Sequence, residues 1–309
     1  GYSSAASDVY KRQGQLVTVC IKAVNRHVIF LGKQQFQIGV AYLNTPGNEK
    51  EMLQCDGVTE KVQQTMAEFS PKHCGIAQID IEKVFLQDYL GLIGTQKNFR
   101  GSCQLAVLPE PVLSTRIRTG MEKQQEYRYS AVADDDSDIL DLRAFRPGDN
   151  LNHIHWNLSL RTDDLIVRQY GEQIDVKKVI LVDLSILNTA QYRSRMDAVY
   201  TAVASIANLY VENEVNTLIL AWNGQKQSVE YLEVHNRTEL NRAMIRLMQI
   251  PCSSRAGEHA AAVYLKDIEA QGQQALFVTA GSYENNKVRI VNVEKIQLQE
   301  LIDELWEKI

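Results

Sequence analysis

The sequence lacks any run of about 18 consecutive apolar residues, which excludes a helical membrane span within it. Its cysteines are few and unpaired in spacing. Cys20, Cys55, Cys74, Cys103 and Cys252 are odd in number and form no C-x-x-C. That argues against a zinc ribbon or a disulfide framework and reads as buried free thiols in a reducing compartment. No excess of positive charge is present: 33 Lys and Arg stand against 38 Asp and Glu, a net charge of −5. Such a chain is a poor general binder of nucleic acid, which wants a basic face. Catalytic signatures are missing as well. There is no G-x-S-x-G, H-E-x-x-H, G-x-x-x-x-G-K-[ST] or G-x-G-x-x-G. Nothing local activates a thiol as a nucleophile.

What is present is ordinary globular material, with 45% hydrophobic and 23% charged residues. A length of 309 residues suggests two domains. The opening stretch GYSSAASDVYKRQ is small and polar, with no apolar segment of signal-peptide type. Within it, SDVYKRQ resembles an adapter-derived translation artefact. Residues 1–13 are therefore expected to be a non-native or disordered tail, with the natural upstream sequence missing.

Residues 14–111 read as short strands. Runs at 16–24, 36–44, 57–66, 74–85 and 102–108 alternate or carry β-branched residues between turn signals. An antiparallel β-sandwich-like domain follows. Residues 112–176 are expected to be a linker, polar at first, with four acids among Asp134-Asp135-Asp136-Ser137-Asp138. That run reads as a solvated loop, since it lacks the Gly and terminal Glu of a calcium loop. After residue 177 the texture becomes alternating. VILVDLS (179–185), TLILAWN (217–223) and ALFVTA (275–280) are buried-strand runs. Between and after them lie helical stripes at 196–210, 238–248, 258–270 and 297–308, with Thr238 as a candidate cap. The expectation for 177–309 is a doubly wound, mostly parallel α/β domain.

The most distinctive string is LRAFRPGDNLNHIHWNLSLRTDDLIVRQY, residues 142–170. It gathers Arg143, Arg146, Gly148, Asp149, His155, Trp156, Arg161 and Arg168. Guanidinium groups fork to carboxylates and stack on indoles, and Pro147-Gly148-Asp149 supplies a turn. Two readings stand: an interaction or anion-binding patch, or a polar network locking the segment onto the domain behind it, with His155 and Trp156 as a core pair. His153 and His155 have strand-like metal-pair spacing, but no third ligand lies nearby.

This string closely resembles the signature of the domain-of-unknown-function 58 family: R-x-Y/F-R-P-G-D, then I-H-W, A/S-R-T and L-x-V-R-x-Y/F. Asp88-Tyr89-Leu90-Gly91-Leu92-Ile93 resembles a second family element, D-P-x-G-L-F, with Tyr89 and Ile93 replacing Pro and Phe. The resemblance implies a β-sandwich-like domain followed by a von Willebrand factor A-like domain. It also implies two membrane helices upstream and a MoxR-type AAA+ ATPase as partner. No enzymatic activity is implied. A von Willebrand-type domain holds Mg or Mn through D-x-S-x-S. Here Asp183 and Ser185 match, Leu187 replaces the second Ser, and Thr279-Ala280-Gly281 lacks the expected Asp. That implies a degenerate site, with Ser253 or Ser254 as an extra hydroxyl source.

The resulting expectation is a non-enzymatic interaction module or adaptor working with a MoxR-type ATPase. It would assist assembly or activation of envelope or metal-dependent complexes. Its setting would be the cytoplasmic face of the bacterial membrane, where the fragment itself is soluble and the parent protein anchored. The alternatives are a metal-assisted hydrolase using Asp183 and a purely structural membrane-associated scaffold.

Overall fold

The computed structural model describes residues 10–24, 31–43, 50–58, 62–115, 128–130, 139–146, 154, 156–162, 165–170, 172–174, 177–185, 191–253, 255–267, 275–281, 283 and 288–309. The chain forms two compact units, Gly1–Ile117 with Lys178–Ile309, and Arg118–Lys177. The expected segments 14–111 and 177–309 thus fall in one unit.

The first part of that unit is β-structure. β1 (Tyr10–Arg12), β3 (Leu31–Tyr42), β4 (Glu51–Val58), β6 (Gly75–Asp88) and β7 (Gly94–Leu108) form a five-stranded sheet in the order β1-β7-β6-β3-β4. All its pairings are antiparallel except β1 with β7. β2 (Val17–Val24) and β5 (Val62–Phe69) form a separate antiparallel ribbon. Phe36, Ile38, Ala77 and Ile79 of the sheet share a core with Val17, Ile21, Ala67 and Phe69 of the ribbon. This is a sandwich, as the alternating strands predict. The run expected as one strand at 57–66 is instead shared by the end of β4 and the start of β5. Residues 10–13 are bonded into the sheet. Tyr10 pairs with Ala106, and the Gln13 N–H donates to the Leu108 carbonyl at 2.9 Å.

The second part is α/β. β12 (Lys178–Val182), β13 (Thr217–Asn223), β14 (Ser228–Val234), β15 (Ala275–Thr279) and β16 (Arg289–Asn292) lie in the order β14-β13-β12-β15-β16. Only β14 runs antiparallel. Consecutive residues of β12 serve opposite faces. Ile180 and Val182 meet α2 (Tyr192–Glu212), α3 (Arg237–Gln249) and α5 (Leu298–Glu307), whereas Val179 and Leu181 meet Tyr264 of α4 (Ala256–Asp267). Burial on both faces is why these strands read as unbroken apolar runs. The cap of α3 is Asn236, not Thr238. Its side chain accepts from the Glu239 N–H at 2.9 Å, and Glu239 reaches back to the His235 N–H at 3.0 Å.

The two parts share a core. Cys74 and Ile76 beside or on β6, with Ala106 and Leu108 on β7, belong to the same buried cluster as Met196 and Val203 of α2 and Met244 and Leu247 of α3. Their strand neighbours Ala77, Leu105 and Val107 point into the sandwich. Asp197 of α2 pins this seam. Its carboxylate accepts from the Cys74 N–H at 2.8 Å and lies 2.7 Å from His73 Nδ1. Burial raises the pKa of Asp197 above the ordinary carboxylate value, against the lowering effect of His73 and the Cys74 N–H.

The chain leaving β7 is strapped along the helices. Ser205 Oγ accepts from the Val112 N–H at 2.8 Å. Asp303 of α5 accepts from Ser114 Oγ at 2.7 Å, the Thr115 N–H at 3.0 Å and Thr115 Oγ1 at 2.9 Å.

Two outcomes are expected. Ile76→Ala should cost about 2–5 kcal/mol in urea unfolding, the range for truncating a buried aliphatic side chain. The donors around Asp303, Ser114 first, depress its pKa from the ordinary 3.8 to about 2. A depressed carboxylate favours the folded state above its unfolded pKa, and that support is lost as pH falls. The protection factor of the Thr115 amide, its exchange relative to the free-peptide rate at the same pH, should therefore fall between about pH 4 and pH 2, and Asp303→Asn should show the low value already at neutral pH.

Candidate functional site

In an open α/β sheet, ligands bind outside the carboxyl ends of the strands. Here that rim is built from Asp183 and Ser185 after β12, Asn223 and Gly224 at the end of β13, Ser253 before α4, and Thr279 at the end of β15. The Asp183 N–H donates to the Val278 carbonyl at 2.9 Å, which fixes the residue in the line of β12. Asp183 Oδ1 accepts from the Ser185 N–H at 3.0 Å and from Ser185 Oγ. Asp183 Oδ2 accepts from Thr279 Oγ1 at 2.6 Å. Thr279 Oγ1 accepts in turn from the Gly281 N–H at 2.9 Å, and Ser185 Oγ from the Gly257 N–H at 3.2 Å.

Glycines let the backbone close on this cluster. A Cβ on Gly257 would lie 2.5 Å from the Asp183 carboxyl carbon. A Cβ on Gly224 would lie 2.5 Å from Ser253 Cβ. Ser253 pairs with Ser185 as a parallel bridge, and its buried Oγ has no hydrogen-bond partner among the described residues.

These donors do not suit a divalent cation. Magnesium wants near-octahedral hard oxygens, usually with carboxylate charge. Among the described residues the rim offers one carboxylate, and both its oxygens already accept hydrogen bonds from Ser185 and Thr279. The stretch Thr279-Ala280-Gly281-Ser282, where a second acid was sought, carries none. Among the described residues no group of three or more His, Cys, Asp or Glu gathers to hold a metal. Leu187, Ser254 and Ser282 lie outside the described residues. The arrangement is a structural knot joining β12, β15 and the start of α4.

Sequence reasoning missed a second feature of this rim. Trp222 of β13 stacks on His259 of α4, with ring centroids 4.8 Å apart and planes at 27°. His259 belongs to no motif in the sequence. The available signal was its place one turn into the helix, beside the end of an apolar strand.

Burial disfavours ionisation at four of the five thiols. Burial pushes Cys74, Cys252, Cys55 and Cys103 up from the ordinary thiol value. Cys74 lies next to the His73–Asp197 pair, yet its Sγ donates to Gln13 Oε1 at 3.1 Å and stays protonated.

The signature string lies in the second unit. β9 (Ile139–Ala144) and β10 (Ile166–Tyr170) form an antiparallel ribbon that pairs Arg143 with Val167 and Leu142 with Arg168. Ile154 bridges to Val167, and both are buried. The short helix α1 (Trp156–Thr162) is tied back through Ser159 Oγ, which accepts from the Ile166 N–H at 2.9 Å. Arg146 and Arg161 are exposed. Trp156 is 57% exposed, so it is not the core residue expected. Gly148, Asp149, His153 and His155 lie outside the described residues, as do the side chains of Arg143 and Arg168.

Residues 141–288 match the model of the family described as "Protein of unknown function DUF58". Among curated proteins there is no match.

The rim makes a direct prediction. Asp183→Ala leaves two hydroxyls and an N–H without their acceptor and should cost about 1–3 kcal/mol. Urea unfolding with and without magnesium should show the same loss.

Proposed function

We propose that this chain, whose residues 141–288 match the DUF58 family model, is a protein-interaction module rather than a catalyst. One observation carries the reading. The signature string places a large aromatic side chain, Trp156, in solvent at 57% exposure, with Arg146 and Arg161 exposed in the same unit. Keeping an indole in water forfeits burial worth about 2 kcal/mol or more, and Trp and Arg are the residue types that dominate binding hot spots. The internally satisfied carboxylate at the sheet rim and the protonated thiols support the same reading.

The finer proposal names the partner class. The strand order β14-β13-β12-β15-β16, with one antiparallel strand, supports a von Willebrand factor A-like assignment. With the signature string, that resemblance favours a MoxR-type AAA+ ATPase as partner. The chain would act as its adaptor, in assembly or activation of envelope or metal-dependent complexes at the cytoplasmic face of a bacterial membrane. Among the described residues no helix is long and apolar enough to cross a membrane.

Calorimetric titration with the cognate ATPase tests this. Micromolar binding is expected, and Trp156→Ala should weaken it at least ~tenfold. The same variant should keep its unfolding free energy within about 0.5 kcal/mol. Absence of binding by the wild-type chain would overturn the partner. Destabilisation by several kcal/mol without loss of binding would overturn the role of Trp156.

A further inference from the structure

The turn between β6 and β7 exposes Tyr89, Leu90, Leu92 and Ile93 at between 72% and 83% each. Single exposed apolar residues are normal on a protein surface, but a contiguous patch marks a contact site. Loose packing does not explain this one. The Asp88 N–H donates to the Ile93 carbonyl at 2.9 Å, and Asp88 Oδ1 accepts from the Ile93 N–H at 2.9 Å. The Gly91 N–H donates to the Asp88 carbonyl at 3.1 Å, and Gly91 adopts φ +70°, which a side chain disfavours. Below the turn, Gly32 of β3 lies so close that a Cβ there would meet the Asp88 carbonyl at 2.3 Å. The tip is thus a built, clamped turn that holds four large apolar side chains outward.

The charges beneath it indicate the occupant. Lys83 and Lys97 stand on adjacent cross-strand pairs, Lys83 with Asn98 and Val84 with Lys97, and so on opposite faces of the hairpin. Neither has a carboxylate partner among the described residues. The neighbouring acids are engaged: Asp88 by the turn itself, Glu82 by Lys50 at 2.7 Å, and Asp56 by Lys33 at 3.3 Å. A protruding apolar tip above a free cation on each side matches acyl chains beneath a layer of phosphate headgroups. Tyr89 adds an amphipathic ring suited to that boundary.

We propose that the β6–β7 tip is a membrane-docking wedge. Tyr89, Leu90, Leu92 and Ile93 enter the interfacial layer of a bilayer while Lys83 and Lys97 contact lipid phosphates. The proposal stands apart from the ATPase reading and from any membrane helix.

Flotation with vesicles tests it, using phosphatidylcholine alone and phosphatidylcholine mixed with phosphatidylglycerol. The wild-type chain should float with the mixed vesicles. Leu90→Asp with Leu92→Asp should reduce binding to both vesicle types at least ~tenfold. These positions are exposed, so an unchanged melting curve should certify the fold. Lys83→Gln with Lys97→Gln should remove only the preference for phosphatidylglycerol. A Tyr89→Trp reporter should shift its emission to the blue on vesicles. Failure of the wild-type chain to float, or equal flotation of the Asp variant, would overturn the wedge. Self-association in sedimentation velocity that the Asp variant abolishes, without flotation, would assign the tip to a second copy of the chain and overturn it as well.

Discussion

The structure of the larger unit depends on a seam in which two strands serve two cores. β6 and β7 send Ile76, Ala106 and Leu108 into the helices of the α/β part and Ala77, Leu105 and Val107 into the sandwich. Side chains alternate along a strand, so a strand buried on both faces must be apolar at every position there. Asp197 adds a directional element. It satisfies the Cys74 N–H just where the chain enters β6, and this fixes which turn of α2 faces the sheet. Burial works against its charge, so the seam owes its strength to apolar packing and its register to the carboxylate.

Much of this was legible in the sequence. The parallel strands announce themselves as the apolar runs at 179–182, 217–223 and 275–279, because both their faces are covered. The stripes of α3 and α5 are legible because each packs on one side, whereas α2 is buried all round from Ala202 to Tyr210. The limits follow from the same physics. Periodicity records how many faces of a strand are buried, not which neighbour buries them. The run Leu105–Leu108 carried the signal of two-sided burial, yet nothing in it says that the second neighbour is a helix pair distant in sequence. The cap of α3 was placed two residues late because both Asn236 and Thr238 are good caps. The Glu239 partner at the third position decides for Asn236.

The candidate sites divide along a similar line. Asp183 and Ser185 were singled out by the resemblance to a D-x-S-x-S turn, and the structure does bring them together with Thr279 and Ser253. What spacing cannot tell is how the carboxylate spends its lone pairs, and here hydroxyls within the fold take them. The signature string shows the converse. Its density of Arg, His and Trp suits an internal lock or an external patch equally well as a sequence. The exposure of Trp156 is the observation on which the patch proposal rests. The sequence also held Tyr89-Leu90-Gly91-Leu92-Ile93 only as a fragment of a motif, and its outward aim needed the clamped turn to become visible.

The central claim is that the sandwich and the α/β part fold as one body across the seam. Native-state hydrogen exchange at increasing denaturant tests it most directly, by comparing amides of β3 in the sandwich with amides of β12 in the α/β sheet. If the seam welds the two, both sets report the same opening free energy and the same denaturant slope, and both fall together in Ile76→Ala. A sandwich that opens at markedly lower free energy while β12 stays protected would contradict the account.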